Sequence, residues 1–148
     1  MRHETTTTIT APADLVWRTV ADVEDWPTWT PTMTSVTRED AGDLRKGSVA
    51  QVRQPKQPAR TWTVTGLVPG RSFTWESTGR GLRLSADHTV STADGATVVE
   101  LTFTLSGPLA PLAKLLAGKA IREAVNTEAA SLKNWCERAA ASGPRNPA

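Results

Sequence analysis

The stretch that most constrains this chain runs from Gly107 to about Ala140, GPLAPLAKLLAGKAIREAVNTEAASLKNWCERAA. It holds no glycine or proline after Gly118, so it reads as one long C-terminal helix with a proline-bearing start. At 1.5 Å per residue such a helix spans roughly 45–50 Å, the full width of a domain of this size. On a helical projection Ile121, Val125, Leu132, Cys136 and Ala139 share one stripe, and Leu109, Leu112 and Leu116 fall nearly opposite. The second half is therefore an amphipathic helix built to pack on a core. The first half is apolar nearly all round, which predicts a buried or cavity-lining segment, a lid that Gly118 allows to bend.

Everything before Gly107 reads as a sheet that holds this helix. His3–Thr10 is rich in threonine and favours a first strand. Pro12 then sits where an early helical position tolerates it, opening a short helix that buries Leu15, Val16 and Val20 and ends by Asp22. The two prolines in Trp26-Pro27-Thr28-Trp29-Thr30-Pro31 allow only a short helical turn and a bend there. From Met33 the apolar period becomes two. Strands are predicted over Met33–Arg38, Ser48–Gln54, Arg60–Val68, Arg71–Thr78, Leu82–Ser91 and Thr97–Ser106, parted by turn residues such as Pro69-Gly70 and Asp94-Gly95. Alternation such as Val99, Leu101, Phe103, Leu105 against Glu100, Thr102, Thr104 marks an antiparallel sheet with one face on the core. The predicted class is α+β: a curved antiparallel sheet of about seven strands around a long C-terminal helix, with two short helices after the first strand. Residues 1–140 are expected to form one domain, and 141–148, with Gly143, Pro144 and Pro147, a disordered tail.

This order of elements resembles the START-like superfamily, also called SRPBCC, and within it the polyketide cyclase/dehydrase-like branch. The likeness rests on Ile9-Thr10-Ala11-Pro12-Ala13-Asp14-Leu15-Val16-Trp17, on a bend of the form D-x-x-x-W-P-x-W-x-P from Asp22 to Pro31, and on Arg53-Gln54-Pro55. It continues through Phe73-Thr74-Trp75, His88, Asp94-Gly95-Ala96-Thr97 and Ser106-Gly107-Pro108-Leu109, and so covers residues 4–138. The resemblance implies a helix-grip fold with a hydrophobic cavity between sheet and helix. It implies no single activity, because the superfamily holds lipid carriers, hormone receptors, aromatases and cyclases, and chaperone co-activators.

Composition narrows the functions. The 148 residues carry 17 basic and 15 acidic side chains, a balance of +2, without the basic run that nucleic-acid binding needs. His3, His88 and Cys136 are too scattered for a zinc site, no phosphate loop is present, and no G-x-S-x-G marks a serine hydrolase. Neither a metal nor a cofactor is expected. One cysteine, no apolar leader in MRHETTTTIT and no 18-residue apolar run lead to the expectation of a cytoplasmic protein without an integral membrane segment. The oligomeric state is left open.

The expected partner is a small hydrophobic or aromatic ligand, lipid, isoprenoid or polyketide-like, held between the sheet and Leu109–Val125. Six tryptophans with no tyrosine supply the rings for such a site. Trp62, Trp75 and Phe103 lie on inferred inner faces, Leu112 and Leu116 on the helix, and Trp29 in a bend that gates the mouth. Trp26 shares that bend, where at least one of the two rings is expected to pack on the sheet, and Trp17 and Trp135 belong to the core. His88 shares a strand face with Leu82, Leu84 and Val90 and is the one candidate acid or base, although the commoner role of such a histidine is structural. An inward Arg53 would fix an anionic oxygen of the ligand, against the reading of an exposed strand end. Glu128, at the edge of the helix stripe between Val125 and Leu132, reaches toward the cavity or stands at the rim beside a Lys or Arg, and the rim is the favoured reading. Two alternatives to simple binding stay open: a polyketide cyclase or dehydratase using His88, and an interaction module whose core is filled.

Overall fold

The computed structural model describes residues 1–142. Seven strands form one antiparallel sheet: β1 (Arg2–Ile9), β2 (Ser35–Arg38), β3 (Val49–Arg53), β4 (Arg60–Val68), β5 (Ser72–Gly79), β6 (Leu82–Ala93) and β7 (Ala96–Ser106). Their spatial order is β1-β7-β6-β5-β4-β3-β2, so β2 to β7 are a meander and β1 closes on the far edge beside β7. Between β1 and β2 lie α1 (Ala13–Ala21), a single 3-10 turn (Val23–Asp25) and α2 (Trp26–Trp29). The last element is α3 (Ala110–Ala141), which crosses the inner face of the sheet. The predicted strands are all present, with boundaries moved by up to two residues. The expected tail begins at Ala141, the last helical residue, and its remainder, 143–148, lies outside the described residues.

The inner face follows from side-chain parity. On β4, Trp62 and Val64 are buried while Thr61 and Thr65 are exposed, and on β5 Phe73, Trp75 and Ser77 are buried. A register shift between Val64 and Gly66 marks a bulge in β4, the kind of irregularity that bends a strand. The core at one end of the sheet comprises Ile9, Val16, Val20, Val23, Phe73, Val90, Val99 and Leu101.

Two attachments hold α3. Its C-terminal half buries Val125, Leu132 and Cys136 of the stripe anticipated from helical periodicity, and Ala129 with them, while Ile121 and Ala139 are half-buried. That half is tied to β1 where His3 Nε2 meets Asn126 Oδ1 at 3.0 Å and Lys133 Nζ donates to the Thr8 carbonyl at 2.6 Å. Its start is fixed where Leu109 N donates to the Gly81 carbonyl at 3.0 Å. Glycine is required at position 107 because φ is +105° and a Cβ there would stand 2.8 Å from that same carbonyl. The helix continues through Gly118, whose flank is covered by the Met1 side chain, instead of breaking there.

Candidate functional site

Between the sheet and the first half of α3 lies a cavity of about 440 Å³. Its floor is Trp62 of β4, Trp75 of β5, Leu84 of β6, and Phe103 and Leu105 of β7, with Trp26 at the inner end. Its roof is Ala113, Ala117, Ala120, Ile121 and Ala124 of α3. The roof explains why the space exists. Four alanines recur at three- and four-residue spacing, so the helix face over the tryptophans carries mostly methyl groups, with Ile121 and Val125 beside them. Larger side chains there would fill the volume.

The aromatic floor is a connected cluster. Trp26 lies with its ring centroid 5.3 Å from Trp75, 5.8 Å from Trp29 and 5.3 Å from His88, and Trp62 is 5.4 Å from Trp75. The indole N–H of Trp26 donates to the Val20 carbonyl at 3.1 Å, which fixes α2 against α1. Trp26 is therefore a structural keystone as well as a cavity wall. Trp17 meets the edge of Phe73, and Trp135 packs on the core.

Two charged residues face the cavity, and neither is the arginine or histidine singled out from the sequence. Arg60 precedes Trp62 by two residues on β4 and so shares its inward face. Its guanidinium donates to Ser77 Oγ and to the Gly79 carbonyl, both at 3.2 Å. Those bonds use two of five N–H donors and leave others for an anionic or carbonyl oxygen. Burial, and then the nearby Arg80, draw its pKa downward. Glu128 of α3 lines the same cavity and makes no hydrogen bond or ion pair with any described residue. Burial raises its pKa to about 7, so the carboxyl is poised between proton donor and acceptor near neutrality. Of its two expected placements the cavity-facing one holds, and the cation expected beside it is not there among the described residues. Gln54, Gln57 and Thr32 complete the polar lining.

The other sequence-derived candidates divide. Trp62, Trp75 and Phe103 come together on the cavity floor. His88 does point inward, but it lies farther along β6, beneath Trp26 and stacked on Phe73 at 4.3 Å, and it does not line the cavity. Burial lowers its pKa to about 4, so the ring is neutral at physiological pH. Arg53 is exposed, because Ala50 and Val52 take the inward parity of β3. Leu112 and Leu116 are 52% and 76% exposed and point away from the sheet; Ala113, Ala117, Ala120 and Ala124 form the wall instead. Trp29 is buried behind Trp26, and its indole N–H has no partner among the described residues. The sign that would have found Arg60 is its parity with Trp62. The sign for the wall is the alanine spacing.

A sheet gripping a long helix over an aromatic-floored cavity defines the START-like class. The sequence matches the family described as "Polyketide cyclase / dehydrase and lipid transport" over residues 1–137, and the chain belongs to that family. No curated protein matches it in sequence. Among solved structures it is similar to the Zhui aromatase/cyclase from Streptomyces sp. R1128, with 21% identity, TM-score 0.76, and coverage of 97% of this chain and 98% of that one. The di-domain aromatase/cyclase BexL has 20% identity and TM-score 0.75, covering 97% of this chain and 48% of its own. Ara h 8.0201 has 14% identity and TM-score 0.70, covering 92% and 97%. At these identities the likeness is one of fold.

Proposed function

We propose that this protein binds a small apolar or aromatic molecule, lipid, isoprenoid or polyketide-like, in the cavity beneath α3. The observation that carries the reading is the unfilled space of about 440 Å³ between the alanine face of α3 and the Trp62–Trp75 floor. Cavities of roughly 300–1,000 Å³ with apolar walls and a few placed polar groups are typical of small-molecule sites. Arg60 would hold an enolate, phenolate or carboxylate oxygen, and Glu128 a hydroxyl or carbonyl. Family membership supports the same reading. Residues 1–140 act as one domain, since every strand joins the same sheet. The single cysteine, buried and unpaired, suits a cytoplasmic setting.

The test is a titration of tryptophan emission with a panel of polyphenols and fluorescent fatty acids, beside native mass spectrometry of the purified protein. Quenching that saturates, or a retained mass, supports binding. A flat response across the panel with no retained mass sinks the proposal.

A second reading has its own support. Glu128, with a pKa raised to about 7 inside the cavity, has the protonation behaviour of an acid/base catalyst. In a cyclase or dehydratase it would move a proton to or from a chain that the cavity holds folded. This replaces His88 in that role. An interaction module without a ligand calls for a filled core, and the cavity counts against it.

A further inference from the structure

The leucines absent from the cavity wall form a surface of their own. Leu115 and Leu116 are 80% and 76% exposed, and Leu112 and Leu109 52% and 48%. Leu112, Leu115 and Leu116 share an exposed face of α3, turned away from the cavity. Cations flank them. From Leu101 through Arg122 the chain contains no Asp or Glu, while Lys119 and Arg122 lie on or beside this face at helical spacing. Arg80 stands in the hairpin whose Gly81 packs against Leu109. The first acidic neighbour is Glu123, 3.9 Å from Lys119 in an exposed pair.

We propose that this face of α3 docks on an anionic phospholipid surface. Exposed leucines on one face of the first turns of α3, with Lys119 and Arg122 on or beside it, match what a bilayer interface offers. The apolar side chains enter the acyl boundary and the cations meet the phosphates. A second copy of the chain suits the face less well. A two-fold contact through four leucines would bring both sets of cations together, and it falls short of the ~800 Å² per partner of a stable dimer. The proposal is independent of any cavity ligand.

The experiment is cosedimentation with vesicles of equal phosphatidylglycerol and phosphatidylcholine, against vesicles of phosphatidylcholine alone. The protein is expected to sediment with the mixed vesicles at low salt, to bind phosphatidylcholine alone about tenfold more weakly, and to be released as salt is raised. Leu115→Asp/Leu116→Asp should lose at least about tenfold in binding while keeping its circular dichroism and melting temperature, since both side chains are in water. Lys119→Gln, which leaves the leucines intact, should lose about fivefold. Absence of binding to the mixed vesicles overturns the proposal, as does binding that the double aspartate variant leaves unchanged. A concentration-dependent dimer abolished by that variant, without vesicle binding, would also overturn it and assign the face to a second copy.

Discussion

The imidazole of His88 lies flat on the ring of Phe73, centroids 4.3 Å apart and planes 13° from parallel. The two residues are direct partners across β5 and β6, with Trp26 closing over them at 5.3 Å from the imidazole. A charged ring in this stack would lose its hydration without gaining an anionic partner. The histidine is therefore a packing residue whose ring stays neutral. Its proton signals should stay unshifted in an NMR titration from pH 8 down to about 5, in line with a pKa lowered to about 4. For stability the sign follows: the folded pKa is below the unfolded value of 6.5, so this group costs nothing above 6.5 and destabilises progressively as pH falls toward 4. A ring that titrates near 6.5 in the folded protein would contradict this placement.

Glu128 shifts the other way. Its folded pKa is raised from 4.5 to about 7, so its contribution to stability is full below 4.5 and is lost as pH rises through 7. Glu128→Gln should thus melt higher than the parent at pH 8, by a margin on the order of 1–3 kcal/mol, and differ little at pH 4. Thermal melts of both proteins at the two pH values test this. Equal differences at both would show that the carboxyl is not desolvated.

Arg60 and Arg53 make a matched pair, one inside the cavity and one outside. Arg60→Met should weaken binding of an anionic aromatic ligand by roughly tenfold to a hundredfold, the worth of a charge-assisted hydrogen bond. Arg53→Met should leave affinity unchanged. Fluorescence titration of both variants with one ligand decides between them, and an equal loss in each would remove Arg60 from the site.

Gly118 lies inside a continuous helix, and a Cβ there would meet Lys114 at 3.6 Å and Met1 at 3.8 Å, ordinary contact distances. Gly118→Ala should therefore stabilise the protein by about 0.5–1 kcal/mol, through helix propensity and a less flexible unfolded chain. Chemical denaturation measures it. Destabilisation would show that the helix needs to bend at this point.

Much of the fold could be read from periodicity, because the sheet alternates with period two and the C-terminal stretch holds a clean stripe from Val125 to Cys136. The cavity was harder to read for a physical reason. Leu112 and Leu116 are the hydrophobic residues a pattern assigns to a buried wall, yet an open cavity requires small side chains there, and Ala113, Ala117, Ala120 and Ala124 carry no strong signal. His88 showed the correct face but not its depth along the strand, which Trp26 sets from a distant part of the chain. Arg53 shares its parity with Val49 and Gln51, and in β3 the inward parity is the other one, taken by Ala50 and Val52. Glu128 stands at the edge of the buried stripe by helical period, but that no cation reaches it depends on how α3 packs on the sheet, a relation of two elements that no local pattern carries.

The most direct test of the account is Ala117→Phe, which sends a ring from the roof into the space above Trp62 and Trp75. The parent protein should bind an apolar aromatic ligand, with saturable quenching of tryptophan emission. The variant should bind at least about tenfold more weakly while melting at or above the parent temperature, because it fills a void instead of displacing packed atoms. Undiminished binding in a folded Ala117→Phe protein would show that the ligand site is not the cavity beneath α3.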